Sequence, residues 1–179
     1  LSNYFVEKGV QNTLTGVSSL YFDKNNTFLL IFYFDNLYYA DQTFKTIRPF
    51  TLTDGSQPFK RDNIIRMIKG TNYNTIYIAS VNKGVYEMNL SQRTLKPILL
   101  SNEGKIIPND LFMSEENHLW IATTNGIYKY DIASEEVIHI EMLDEKLSSL
   151  SDVEVMSITL DDLKGIWVGT FSSGVLYAN

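Results

Sequence analysis

One phrase recurs four times along this chain: a large apolar or aromatic residue opens a β-rich run, a Gly or Asn turn follows, and an apolar-Tyr strand closes it. The copies run from Leu29 to Asp41, Tyr77 to Asn89, Trp120 to Asp131 and Trp167 to Asn179. Their spacing, about 46 residues, lies in the range where repeats build solenoids or propeller blades. Alternating apolar residues and turn chemistry resolve each copy into strands. The last predicts strands over 155–160, 166–170 and 175–177; the third over 110–113, 119–123, 127–130 and 136–140. The second predicts 65–69, 76–80, 85–88 and 94–99, and the more degenerate first 18–22, 28–33, 37–40 and 43–48.

A sheet of four short strands cannot bury both faces alone, so neighbouring units must stack, and four-stranded units of this length are propeller blades. The expectation is an all-β fold, a β-propeller fragment of about four four-stranded blades forming one domain over residues 1–179. The blades fall at about 17–50, 64–100, 109–140 and 153–179. The polar segments 51–63, 101–109 and 141–152 read as crossings between them. Residues 3–7, around Tyr4-Phe5-Val6, read as an outer strand that completes a blade beside Val175-Leu176-Tyr177, within the chain or between two copies. Gly84, Gly126 and Gly174 share the hairpin-turn slot and are expected at positive φ. Asn36 fills the same slot in the first copy, and Asn is the non-glycine residue that best tolerates that conformation.

Composition narrows the partners. Hydrophobic residues make up 44% and charged residues 20%, the balance of a globular chain with a buried core. A net charge of −6 without any Lys/Arg cluster excludes a phosphate-backbone footprint, so no nucleic acid is expected through this domain. No apolar run reaches the roughly 18 residues of a membrane span, so no membrane contact is expected of this stretch. The start, Leu1-Ser2-Asn3-Tyr4, has neither an initiator Met nor a signal-peptide pattern, and reads as a piece of something longer. With no Cys there is no disulfide framework, which says nothing about compartment.

The run Leu147-Ser148-Ser149-Leu150-Ser151-Asp152-Val153, followed by Met156-Ser157-Ile158, Asp161-Asp162, Gly165-Ile166-Trp167-Val168-Gly169-Thr170 and Gly174-Val175, resembles the two-component regulator propeller repeat. Leu119-Trp120-Ile121-Ala122-Thr123 with Gly126-Ile127-Tyr128 is a second match, and Tyr77-Ile78-Ala79-Ser80 with Gly84-Val85-Tyr86 a third; the first copy matches mainly by spacing. The resemblance implies a periplasmic sensor region of a hybrid two-component system, the ectodomain of an inner-membrane protein. Such a region detects oligosaccharides or polymer fragments and signals to a histidine kinase elsewhere in the full protein. Other copies or remaining blades of the same protein are then the expected partners. The alternative is a structural or protein-interaction propeller without a small-molecule ligand.

Several residue types bear on chemistry. Trp120 and Trp167 suit sugar stacking, yet their slot also holds Tyr77 and Leu29, as core positions allow, so both are expected to be buried between blades. His118, in a turn, and His139, in an outer strand, are the only histidines; with no Cys and no third His neither a metal site nor a cofactor is expected, and both read as surface residues. The acidic pairs Glu115-Glu116, Glu135-Glu136 and Asp161-Asp162 read as outward-pointing turns separated by whole blades, not as a glycosidase pair. No nucleophile elbow or phosphate loop is present, so no catalytic residue is assigned and the region reads as non-enzymatic. Loops on a rigid scaffold concentrate binding. The connections between second and third strands share one rim with the crossings, which gives Phe34, Asp35, Asn82, Lys83, Asn125, Phe171, Ser172 and Ser173 as candidate ligand contacts.

Overall fold

The computed structural model describes residues 17–23, 28–33, 36–41, 47–101, 104–140 and 153–178. Among these every regular element is a strand, and the strands form four separate antiparallel sheets in meander order. The first sheet holds β1 (Val17–Asp23), β2 (Phe28–Tyr33), β3 (Asn36–Asp41) and β4 (Ile47–Pro49). The second holds β5 (Ile64–Lys69), β6 (Thr75–Ser80), β7 (Gly84–Asn89) and β8 (Thr94–Ile98). The third holds β9 (Pro108–Met113), β10 (His118–Thr123), β11 (Gly126–Asp131) and β12 (Val137–Ile140). The fourth has three strands among the described residues, β13 (Val155–Leu160), β14 (Ile166–Thr170) and β15 (Val175–Ala178). The expected strand around Tyr4-Phe5-Val6 lies outside the described residues.

The first strands of the sheets are also neighbours: β1 lies beside β5, β5 beside β9 and β9 beside β13. Inner strands gathered side by side, each heading its own meander, are the arrangement of propeller blades about an axis. No comparable contact joins β13 back to β1 among the described residues.

Period-two alternation explains how the blades stack, because successive side chains of a strand point to opposite faces. In β6, Ile76 and Ile78 pack towards the first sheet with Leu30 and Leu37, while Tyr77 and Ala79 pack towards the third with Leu119 and Ile121. In β10, Leu119 and Ile121 face the second sheet, and Trp120 and Ala122 face Val155, Ile158 and Val168 of the fourth. Phe50, directly after β4, and Phe59, from the first crossing, complete the first interface, so that crossing is itself part of the core.

The turn glycines behave as the hairpins require: Gly84, Gly126 and Gly174 have φ of 85°, 77° and 76°. The aromatic slot divides. Trp120 is 9% exposed and sits between the third and fourth sheets, whereas Trp167, one repeat later, is 43% exposed. Burial of Trp167 between blades is therefore corrected: its face of the fourth sheet has no neighbour among the described residues. Its indole is held instead by a hydrogen bond donated from Nε1 to Asp161 Oδ2 at 3.0 Å and by the Tyr177 ring, centroids 4.6 Å apart.

Candidate functional site

At the end of the blades where second strands turn into third strands, the turns of the second, third and fourth blades are tied down in the same two ways. The last residue of the second strand carries a hydroxyl that accepts an N–H from the turn: Ser80 Oγ from Lys83 at 3.2 Å, Thr123 Oγ1 from Asn125 at 3.0 Å, and Thr170 Oγ1 from Ser173 at 2.8 Å. The next residue donates its N–H to the segment just ahead of the inner strand of the same blade: Val81 to Asn63 O at 2.9 Å, Thr124 to Ile107 O at 3.0 Å and Phe171 to Glu154 O at 2.9 Å. The turns and the crossings thus share one rim, as topology requires.

In the second blade a buried carboxylate reinforces this frame. Asp62, 6% exposed, accepts hydrogen bonds from Ser80 Oγ at 2.6 Å and from the N–H groups of Asn63 at 2.7 Å and Asn82 at 3.2 Å. The turn bearing Asn82 and Lys83 is therefore fixed by one buried side chain that accepts three hydrogen bonds. Beside it lies a cavity of about 370 Å³, walled by Asn82 and Lys83 on one side and by Ser101 and Lys105 of the crossing on the other, with Val85 and Ile98 apolar between them. An amide, a hydroxyl and two lysines around an apolar base suit a hydroxylated or anionic ligand.

Of the remaining expected contacts, Asn125, Phe171, Ser172 and Ser173 do not line this cavity. Phe34 and Asp35 lie outside the described residues. Asn125 is half-buried, and its carbonyl lies 3.1 Å from His139 Nε2. Phe171, 73% exposed, and Ser172 and Ser173 form the exposed rim turn of the fourth blade. Sequence reasoning missed Ser101 and Lys105, which it read as connector; the signal was a second lysine in a crossing that returns to the rim.

Both histidines are half-buried and have partners. His118 begins β10 and places Nε2 3.1 Å from Asp131 Oδ2; His139 stacks on Tyr128 with centroids 4.4 Å apart. Among the described residues no group of three or more His, Cys, Asp or Glu is placed to hold a metal ion, and no helix is long and apolar enough to cross a membrane. The acidic turns also need correction. Those of the third and fourth blades meet, Lys164 Nζ bonding Glu116, rather than standing a blade apart.

A groove of about 430 Å³ runs along the inner strands to the free face of the fourth sheet. Arg66 of β5 pairs there with Asp110 of β9 at 3.4 Å, and Asp110 accepts the N–H of Ile158 from β13 at 3.3 Å, which links three blades at the axis.

The chain matches no family profile, and no curated protein matches it. Solved structures share its fold. Two structures of the extracellular domain of one B. thetaiotaomicron system, described once as one-component and once as hybrid two-component, each match with a TM-score of 0.72 at 18% identity, over 94% of this chain and 22% and 21% of theirs. The extracellular domain of a second hybrid two-component system from that organism matches with a TM-score of 0.60 at 24% identity, over 85% of this chain and 19% of its own length. A computationally designed protein, Ika4, matches with a TM-score of 0.61 at 15% identity, over 93% of this chain and 92% of the design. The chain thus spans about a fifth of the natural domains it resembles.

Proposed function

We propose that this chain is part of the ligand-sensing ectodomain of a membrane-bound hybrid two-component regulator, in the periplasm. It captures an oligosaccharide or polymer breakdown product at the rim, and a histidine kinase elsewhere in the full protein receives the signal. The observation that carries this reading is the rim cavity between Asn82-Lys83 and Ser101-Lys105, built on a turn that Asp62 holds in place. Two lysines facing one space favour an acidic sugar such as a uronate, whose carboxylate either ammonium can meet, over a neutral one. The shared fold with extracellular domains of two-component systems supports the sensor reading. The chain binds and does not turn over its ligand.

Titration calorimetry of the full ectodomain against uronate and neutral oligosaccharides tests it. Saturable uronate binding that falls at least about tenfold, 1.4 kcal/mol, in Lys83→Ala or Lys105→Ala is the expected result. Unchanged binding in both variants removes the rim site. The second reading, an interaction propeller without a small-molecule ligand, is favoured by the exposed Trp167, Val175 and Tyr177 on the free face of the fourth sheet. It predicts no oligosaccharide binding at all.

A further inference from the structure

One register position recurs in the inner strands. The residue paired with Ala79, Ala122 and Gly169 of the second strands is Arg66 in the second blade, Asp110 in the third and Ser157 in the fourth. All three line the axis groove of about 430 Å³, a volume within the range of pockets that take small ligands. The position thus carries a cation, an anion and a hydroxyl in turn.

Asp110 is fully engaged. Its Oδ1 lies 3.4 Å from Arg66 Nε and accepts the N–H of Leu111 at 2.9 Å, and its Oδ2 accepts the N–H of Ile158 at 3.3 Å. Arg66 is not. Its side chain is 55% exposed and meets Asp110 through Nε, which leaves both terminal amino groups without a partner among the described residues. Because Asp110 draws on two backbone N–H groups besides Arg66, the guanidinium charge can be shared with a second carboxylate. A guanidinium anchored through Nε with its outer edge open is preorganised to take that carboxylate by two parallel hydrogen bonds.

The far wall of the groove is aromatic. Trp167 is 43% exposed, yet its indole is pinned by the hydrogen bond to Asp161 and by the Tyr177 ring, so a flat partner finds its platform already oriented. Between Arg66 and Trp167 the lining is apolar, from Leu111, Phe112, Ile158, Val168 and Val175. Polar groups there are few: the Ser157 and Thr159 hydroxyls, which form no hydrogen bond among the described residues. Glycine at 169 makes room for the first of them, since a Cβ would stand 2.5 Å from Ser157 Oγ.

We propose that the axis groove binds an aromatic carboxylate, its carboxylate on the open edge of Arg66 and its ring against Trp167 and Val175, with the Ser157 and Thr159 hydroxyls open to a polar substituent. The guanidinium selects acids over neutral rings. The apolar lining selects an aromatic ring over a pyranose, most of whose hydroxyls would lose water without gaining a partner. The groove and the rim cavity share no lining residue, so acid binding here and sugar binding there are separable results.

Saturation-transfer NMR of the chain titrated with 4-hydroxybenzoate tests this, at a dilution where light scattering reports a monomer, so that association through the free face leaves the groove open. 4-Hydroxybenzyl alcohol is the neutral control and glucuronate the non-aromatic acid. The Trp167 indole N–H resonance, identified by its loss in Trp167→Phe, reports the place of binding. Expected are saturable 4-hydroxybenzoate binding at or below about 1 mM with a shift of that resonance, and at least about tenfold weaker binding of both controls. Arg66→Gln and, separately, Trp167→Ala should each weaken binding at least about tenfold; both side chains are exposed, so the fold is spared. No saturation up to about 10 mM, an unmoved Trp167 resonance, equal binding of either control, or unaltered binding in either variant overturns the proposal.

Discussion

Single residues show where local geometry and packing each decide. Gly84 has φ of 85° and open space where a Cβ would stand, so Gly84→Ala isolates the conformational penalty from any clash. A loss of about 1 kcal/mol in urea unfolding is expected, and none would mean the turn relaxes to negative φ. The two tryptophans form an internal pair of controls. Trp120→Ala should cost on the order of 3 to 5 kcal/mol, as large aromatic deletions in cores do, and Trp167→Ala only roughly 1 to 2, because 43% of that residue is exposed. Equal losses at both sites would show that the fourth sheet's free face is covered in solution. The sequence motif made the tryptophan slot visible, since Leu29, Tyr77, Trp120 and Trp167 align. It held no information on which copy lacks a neighbour, because burial belongs to the partner sheet rather than to the strand.

Turns carry the candidate site and the carboxyl groups whose titration the fold shifts. Asp62→Ala removes the acceptor of Ser80 Oγ and of two backbone N–H groups in a buried setting, and should destabilise by about 2 to 3 kcal/mol. The amide of Asn82 should then exchange its hydrogen much faster while the strands β6 and β7 stay protected; uniform loss of protection would make Asp62 a core residue instead. Asp161 organises the β13–β14 turn, and Asp131 organises the β11–β12 turn through the N–H groups of Ser134 and Ala133. The indole N–H of Trp167 foremost holds Asp161 below its ordinary value, and the Ser134 N–H foremost does so for Asp131. Folded-state values below the unfolded ones give stabilisation that is fully present above the ordinary carboxylate pKa, about 4, and is lost as the pH falls through the depressed values. Melting temperature should therefore drop between about pH 4 and pH 2, and Asp161→Asn should flatten that drop. Hairpin turns and strand limits were legible because Gly, Asn and Asp have direct backbone consequences. The meeting of the two acidic turns was not, because Glu116 and Lys164 are 48 residues apart and only blade stacking brings them together.

On the scale of the whole molecule, the fourth sheet presents an uncovered face with Trp167, Val175 and Tyr177, and β15 offers an outer edge unpaired among the described residues. Exposed apolar faces and open strand edges invite association. The 179-residue chain by itself should therefore run as a dimer or larger in size-exclusion chromatography with light scattering, and Val175→Lys should shift it towards monomer. A monodisperse parent monomer would mean that residues outside those described cover the edge. The blade architecture was legible from the repeat, since four copies at one spacing admit few other folds. The candidate site was legible only to the extent that topology assigns loops to ends: Asn82 and Lys83 were placed on the rim that way, and Lys105 beside them was not. One last consequence follows from the backbone hydrogen bonds that fasten Val81, Thr124 and Phe171 to the segments leading into their own inner strands. A rim turn held at both ends has surrendered its freedom before any ligand arrives. Capture should then proceed by collision with a preformed surface, at rates governed by diffusion and charge steering and insensitive to loop closure.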